Sequence, residues 1–102
     1  MSEGGYTETL QVCRYHVWAH GDGDVVVSTE QVILLGYTIG ATLTGTFALR
    51  DGTTASGALI HTSASNAAAG VNVSLFGVQL NSGLFIDDAA TGGSVTIFYR
   101  VK

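Results

Sequence analysis

Four side chains that can bind metal ions lie close together in the sequence: His16, His20, Asp22 and Asp24. Imidazole and carboxylate groups are ligands for zinc and calcium. In a strand, however, His16 and His20 are about 13 Å apart at ~3.3 Å per residue, which is too far for one ion. The run Asp22-Gly23-Asp24 lacks the further acidic ligand of a calcium loop. We therefore expect a turn with exposed polar groups and no metal site.

Two other pairs have the residue types of enzyme active sites without the required geometry. Cys13 and His16 are three residues apart, so an extended chain directs them to opposite faces. Asp87 and Asp88 are adjacent carboxyl groups, which point apart in a strand or loop and have no identifiable acid-base partner. We expect neither catalytic residues nor a cofactor, and we interpret Cys13 as a small buried hydrophobe.

Aromatic side chains are the remaining candidates for ligand contact. Trp18 and the tyrosines have the shape to stack on a sugar, but packing in the interior or at an interface is the favoured interpretation. The tyrosines are Tyr6, Tyr15, Tyr37 and Tyr99. We interpret Arg50-Asp51-Gly52 as a surface turn and not as an adhesion motif.

Composition places these residues in one small β-rich domain. The chain has 102 residues, of which 46% are hydrophobic and 12% charged, with one cysteine and a net charge of −4. This length excludes a two-domain enzyme, and a lone cysteine excludes a disulfide-stapled module. Frequent β-branched and aromatic residues exclude disorder. The basic residues are scattered, so we expect no nucleic-acid binding. They are Arg14, Arg50, Arg100 and Lys102.

Alternating residues and turn signals predict about eight strands and no helix. The first strand runs from about Leu10 to Trp18, and the clearest alternation covers residues 43–50. Residues 63–70 are expected to form a loop. The other predicted strands cover residues 25–28, 31–39, 58–62, 71–77, 84–86 and 94–101. We expect an all-β fold, a single antiparallel β-sandwich or jelly roll over residues 10–102, with a flexible arm at residues 1–9.

Two stretches of the sequence indicate where in the cell the protein is expected: residues 1–5 and the longest uncharged segment. Residues 1–5 carry no positive side chain and no apolar segment follows them, so we expect no signal peptide and synthesis in a cytoplasm. Residues 31–49 lack charge but contain Gly, Thr and Gln. We interpret them as two short strands with a break at residues 36–40, and we expect no membrane contact.

Charge is nearly absent from the middle of the chain. Between Gln31 and Ile86 the only charged residues are Arg50 and Asp51, with one histidine at position 61. A monomer of this kind would expose small polar side chains and apolar patches, which are usually covered. Uncharged strand edges also pair readily with other chains. We therefore expect a homo-oligomer, with a trimer as one candidate, or a subunit on a larger scaffold.

Three segments resemble small structural proteins of tailed-bacteriophage virions. They are LLGYTIGATLTGTFALRDGTTASGALIHT at residues 34–62, FGVQLNSGLFID at 76–87 and GSVTIFYR at 93–100. In such proteins a strand leads into an Asp-Gly-Thr, Ser/Ala and Gly connection, a later segment leads into Ser/Thr-Gly-Leu, and the last strand ends in Tyr-Arg. The matching positions are Asp51, Gly52, Thr53, Ala55, Ser56, Gly57, Ser82, Gly83, Leu84, Tyr99 and Arg100. Residues 16–24 lie outside this pattern.

The resemblance implies a non-enzymatic capsid decoration (cement) protein. Such a protein binds the major capsid protein on the virion surface and stabilises the coat shell. The alternative is a carbohydrate-binding module or a tail/receptor-binding β-module. A carbohydrate-binding module would place Trp18 and tyrosines on an exposed face.

Overall fold

Residues 13–102 are described by a computed structural model. The predicted arm at residues 1–9 lies outside the described residues, as does the predicted beginning of the first strand. Strands account for 63% of the structure and helix for 3%. The strands are β1 (Arg14–Ala19), β2 (Val25–Ser28), β3 (Val32–Thr44), β4 (Phe47–Asp51), β5 (Ala58–Thr62), β6 (Asn72–Leu80), β7 (Leu84–Asp88) and β8 (Gly92–Val101). A 3-10 helix, His20–Asp22, follows β1.

The strands form two antiparallel sheets that pack as a sandwich. Sheet A has the order β1-β8-β3-β6, and sheet B has the order β2-β7-β4-β5. The pairing is nested along the chain, because β1 pairs with β8, β2 with β7, β3 with β6 and β4 with β5. This nesting is the strand order of a jelly roll. The predicted fold class is confirmed.

The core lies between the sheets and takes alternate residues from each strand. On β1, Trp18 faces inwards and is fully buried, whereas Tyr15 and Val17 face outwards, as the alternation predicts. The Trp18 ring centroid lies 6.0 Å from that of Phe47 in sheet B. Phe47 makes an edge-to-face contact with Tyr37 of sheet A, with centroids 4.9 Å apart. Aromatic contacts thus join the two sheets.

The predicted strand at residues 43–50 has the wrong boundaries. β3 continues to Thr44 and β4 begins at Phe47, so a corner at Gly45 carries the chain from sheet A to sheet B. Gly45 has a φ of 98°, a conformation that favours glycine. Leu43 and Phe47 are both buried, each pointing into the core from its own sheet. Buried and exposed residues therefore continue to alternate across the corner, so the sequence pattern gives no sign of it.

The predicted break at residues 36–40 is also wrong, because β3 is continuous there. The pairing of β3 with β8 instead shifts register between Leu34 and Gly36 and again after Ile39. Gly36 has a φ of 153°, and a Cβ at this position would collide with the carbonyl oxygen of Val73 in β6. The glycine and the bulge allow sheet A to bend at this point while β3 remains one continuous strand.

The predicted connections around β5 are confirmed. β4 and β5 form an antiparallel pair across the connection at residues 52–57. Residues 63–70 contain no helix, as expected for a loop.

Candidate interaction surface

The outward surface of sheet A, called face A below, carries apolar side chains on three of its four strands. They are Tyr15, Val17, Ile33, Leu35 and Phe98. Tyr15 and Val17 are 68% and 56% exposed, and Phe76 of the edge strand β6 is 92% exposed. A patch of exposed large apolar side chains is typical of a protein interaction site.

The strand register makes this patch continuous. Tyr15 of β1 pairs with Phe98 of β8, and Phe98 pairs with Gly36 of β3, next to Leu35. Apolar side chains from β1, β8 and β3 are therefore aligned across the sheet. Phe76 lies in the irregular part of β6, where no residue of β3 is its register partner.

A groove of about 360 Å³ opens on face A. Leu35 and Phe98 supply apolar walls, and Thr38 and Ser74 supply hydroxyl groups. Cys13 also lines the groove and is exposed, so its interpretation as a buried hydrophobe is wrong. The reason is that Cys13 directly precedes β1, which is an edge strand of sheet A.

Phe76 has a backbone conformation that bulky residues rarely adopt. Its φ is 56°, in the left-handed region. Among the described residues the other non-glycine residue with positive φ is Asn66, at 58°. Asparagine tolerates this region, and its Oδ1 accepts a hydrogen bond from the N–H of Gly45 at 2.8 Å. A phenyl ring has no such compensation, and strain of this kind concentrates at functional sites.

Charge is distributed unequally between the two sheets. The strands of sheet A contain Arg14 and Arg100 and no aspartate or glutamate. Arg100 lies on face A opposite Ile33, and its Nε is buried without a hydrogen-bond partner among residues 13–102. The described carboxylates lie in sheet B or in connections: Asp22, Asp24, Glu30, Asp51, Asp87 and Asp88.

The outward surface of sheet B, called face B below, is covered at its centre by the chain's own side chains, whereas Val26 and Leu59 on its edge strands are 43% and 55% exposed. Phe85 points outwards there between Val26 and Arg50, yet it is only 6% exposed. Arg50 donates from Nε to Oδ2 of Asp87 at 2.9 Å and from Nη1 to the carbonyl oxygen of Gly57 at 3.0 Å. These bonds hold the arginine stem over its neighbours.

The predicted metal-binding residues lie in a strand and in the turn that follows it. They are His16, His20, Asp22 and Asp24. The carboxylate of Asp22 accepts the N–H of Ala19 at 2.9 Å, and that of Asp24 accepts the N–H of Asp88 at 2.8 Å. The predicted turn is therefore confirmed, and its carboxylates cap backbone groups. Within residues 13–102, no three His, Cys, Asp or Glu side chains are grouped to hold a metal ion.

The other candidate catalytic groups have separate structural contacts. Asp87 pairs with Arg50 on face B, whereas Oδ1 of Asp88 accepts the N–H of Ala90 at 2.8 Å. His16 alternates with the outward residues of β1, so it points away from the groove that Cys13 lines.

The aromatic residues divide between the core and face A. Trp18 and Tyr37 are buried, Tyr99 is half-buried against the core, and Tyr15 is exposed. Tyr6 lies outside the described residues. The possibility that Trp18 contributes to an exposed sugar-binding surface is therefore wrong. Its indole packs between the sheets and donates from Nε1 to the carbonyl oxygen of Gly23 at 2.9 Å.

A hydrogen bond joins the two sheets inside the sandwich. The hydroxyl of Tyr37 in β3 and Nε2 of His61 in β5 share this bond at 2.7 Å. Burial raises the pKa of Tyr37 above 10.0 and lowers the pKa of His61 below 6.5. Both side chains are therefore neutral at neutral pH.

Sequence reasoning did not identify face A as a site. The predicted strand at residues 71–77 did place Phe76 on the same side as Asn72 and Ser74, and all three are exposed. A large aromatic residue among polar ones on the outward side of a strand was the available signal. Its left-handed conformation had no sequence signature apart from the adjacent Gly77.

The chain was compared with protein-family models, curated proteins and solved structures, and no match was found in any of the three comparisons. In residues 13–102, no helix has the length and apolar character needed to cross a membrane.

Proposed function

We propose that this protein is a non-enzymatic structural subunit of a tailed-bacteriophage virion, a decoration protein that binds the major capsid protein and stabilises the coat shell. The observation that carries this proposal is face A. Tyr15 and Val17 project from this face, and Phe98 and Leu35 continue its apolar surface across β8 and β3. In a virion such a surface is buried against neighbouring protein, which the hydrophobic effect favours.

The fold supports the same class of function. Double-sheet jelly rolls are common in viral capsid proteins and in lectins. Their two sheets support each other through the core, so one outer face remains available for assembly. We propose a location on the capsid surface, synthesis in the host cytoplasm and a homo-oligomeric state.

Two of the segments that carry the resemblance to virion proteins meet at one end of the sandwich. The carboxylate of Asp51 accepts the N–H groups of Asn81 and Ser82, at 3.1 and 2.8 Å. The N–H of Gly52 donates to the carbonyl oxygen of Gly83 at 3.3 Å. These residues act as one structural unit that connects β4 to the turn before β7. The tripeptide Arg50-Asp51-Gly52 is part of this unit, and its glycine is buried.

Co-sedimentation with shells assembled from the major capsid protein of the phage tests this proposal. We expect the wild-type chain to pellet with shells and to raise their melting temperature. A variant with Tyr15→Ser and Val17→Ser should bind less, because assembly buries face A against the shell or a neighbouring copy. The matched control is Leu59→Ser, which removes a 55% exposed apolar side chain from sheet B. A folded wild-type chain that stays in the supernatant contradicts the proposal.

Glycan recognition is the second candidate, and the exposure of Tyr15 and Phe76 in sheet A favours it. Under this hypothesis, the isolated chain binds glycans on an array, and Tyr15→Ala abolishes the signal. A negative array together with shell binding favours the decoration protein.

A further inference from the structure

We propose that a cavity at one end of the sandwich binds a neutral saccharide of one or two rings. The cavity has a volume of about 300 Å³ and lies where β1 begins and where β2 and β8 end. It shares no lining residue with the groove on face A. The inference therefore concerns a separate surface and does not rest on the proposed function.

Strand alternation directs an arginine and a tyrosine of sheet A towards this cavity. Arg14 is four residues before the fully buried Trp18 in β1, and Tyr99 is two residues after the fully buried Ile97 in β8. Arg14 and Tyr99 are also paired in register. Their side chains are therefore neighbours on the inner side of sheet A, and both line the cavity.

The connection between β2 and β3 brings a carboxylate to the same cavity. This connection crosses from sheet B to sheet A, and its Glu30 lines the cavity. The N–H of Glu30 donates to Oγ of Ser28 at 3.0 Å, which fixes the turn after β2. The carbonyl oxygen of Gln31 accepts the N–H of Lys102 at 3.0 Å. The backbone around Glu30 is thus held in place by the chain's own hydrogen bonds.

The two charged side chains of the cavity do not pair with each other. In residues 13–102 the one salt bridge joins Arg50 to Asp87. Arg14 and Glu30 are both exposed, so a ligand can reach them from solvent. A guanidinium donates hydrogen bonds and a carboxylate accepts them, and their two charges cancel. The matching ligand is neutral and has groups that both donate and accept, as hydroxyl groups do.

The rest of the cavity wall favours a sugar ring over other neutral ligands. Val26, Val101 and the ring of Tyr99 supply apolar surface, and Thr29 supplies a hydroxyl group. A sugar ring has hydroxyl groups at its edge and C–H groups on its faces, so it can contact both kinds of wall. A zwitterionic amino acid would satisfy the two charges but would cover little of the apolar surface. The volume is at the lower end of the range for small-molecule sites, about 300–1,000 Å³, which limits the ligand to one or two rings.

Titration of the isotope-labelled wild-type chain, followed by backbone amide chemical shifts, tests this site. The probes are the methyl glycosides of glucose, galactose, mannose and N-acetylglucosamine, together with the disaccharides lactose and maltose. We expect at least one probe to bind with a dissociation constant of about 10 mM or below. The amides that shift should be those of Arg14, Thr29 and Glu30.

Substitution of either charged residue should weaken this binding. Arg14→Gln and Glu30→Gln should each raise the dissociation constant at least about tenfold, because each removes hydrogen bonds to a charged group. Both side chains are exposed, so the variants should keep the fold. The matched control is Arg100→Gln, the same change on the outward side of sheet A. It should keep the wild-type dissociation constant, as should Tyr15→Ser on face A.

A chain that binds none of the saccharide probes would overturn the site. Binding that survives both Arg14→Gln and Glu30→Gln, or amide shifts confined to face A, would overturn it as well. Binding of glycine or glutamate without binding of any saccharide would show that the ligand class is wrong.

Co-sedimentation with coat shells separates this inference from the proposed function. A chain that binds a saccharide but not coat shells supports the cavity site and contradicts the decoration protein. A chain that binds coat shells but no saccharide overturns the cavity site and leaves the proposed function in place.

Discussion

Sheet A and sheet B each contain a phenylalanine and an arginine whose surroundings differ. In sheet B, Phe85 is almost fully buried, and Arg50 is bonded to Asp87 and to a backbone carbonyl. In sheet A, Phe76 is almost fully exposed, and Nε of Arg100 has no partner among residues 13–102. The centre of face B is thus closed by the chain's own contacts, whereas Phe76 and Nε of Arg100 in sheet A lack such contacts.

The two phenylalanines show that the exposed fraction of a side chain depends here on its neighbours in the structure and not on its residue type. Phe85 is flanked in register by Val26 and Arg50, so it is covered from both neighbouring strands. Phe76 lies in an edge strand at a bulge, with a neighbouring strand on one side. A side chain exposed in this way contributes hardly at all to folding.

Truncation of the two phenylalanines should give the largest difference in unfolding free energy between a pair of variants. Phe85→Ala should lower the free energy of unfolding by about 3 kcal/mol, because it removes a buried ring and leaves a cavity. Phe76→Ala should change it by less than about 0.5 kcal/mol, because the ring is in water. Urea unfolding of the wild type and of both variants measures these changes. Equal losses for the two variants would remove the distinction between the faces.

Replacement of the two arginines should give a smaller difference in stability between the two variants than truncation of the phenylalanines. Arg50→Gln removes a charge-assisted bond to Asp87 and one to Gly57, and should cost about 1.5 kcal/mol after allowance for partial exposure. Arg100→Gln should cost less than about 0.5 kcal/mol, because its Nε has no bond to lose within the described chain. Thermal unfolding of both variants at low and high salt checks this order. A larger loss of stability for Arg100→Gln than for Arg50→Gln would contradict this expected order.

Acidification should have the smallest effect, because it acts on the bond between the sheets and not on either outer face. Burial lowers the pKa of His61 below 6.5, so the unfolded chain binds this proton more readily than the native chain. The contribution to stability is complete above pH 6.5 and is lost as the pH falls through the lowered pKa. The melting temperature should therefore fall between about pH 7 and pH 5.5, and less so for His61→Gln. An equal fall in this variant would assign the effect to other groups.

Local pattern was sufficient to predict much of the fold. Alternation placed Trp18 and Tyr15 on opposite sides of β1, and the glycine-rich connection after Asp51 predicted the β4–β5 hairpin. These features depend on neighbours in the sequence. The corner at Gly45 was not predictable from alternation, because inward positions in both sheets follow each other in phase.

The candidate site depends on contacts that the sequence does not display. The burial of Phe85 requires Arg50 from another strand, and the groove requires β3 and β6 to bulge at facing positions. Strand order combines residues far apart in the chain, so spacing alone could not show that Tyr15 and Phe98 are neighbours. The exposure of Cys13 follows from the edge position of β1 in the same way.

The nested strand order also determines when the protein can fold during translation. β8 lies between β1 and β3 in sheet A, so neither strand has its central partner until residues 92–101 leave the ribosome. At ~5–20 residues per second, roughly 4 to 15 s separate the synthesis of β1 from that of β8. Face A, which includes Phe98 of β8, therefore forms only after the other seven strands have been synthesised.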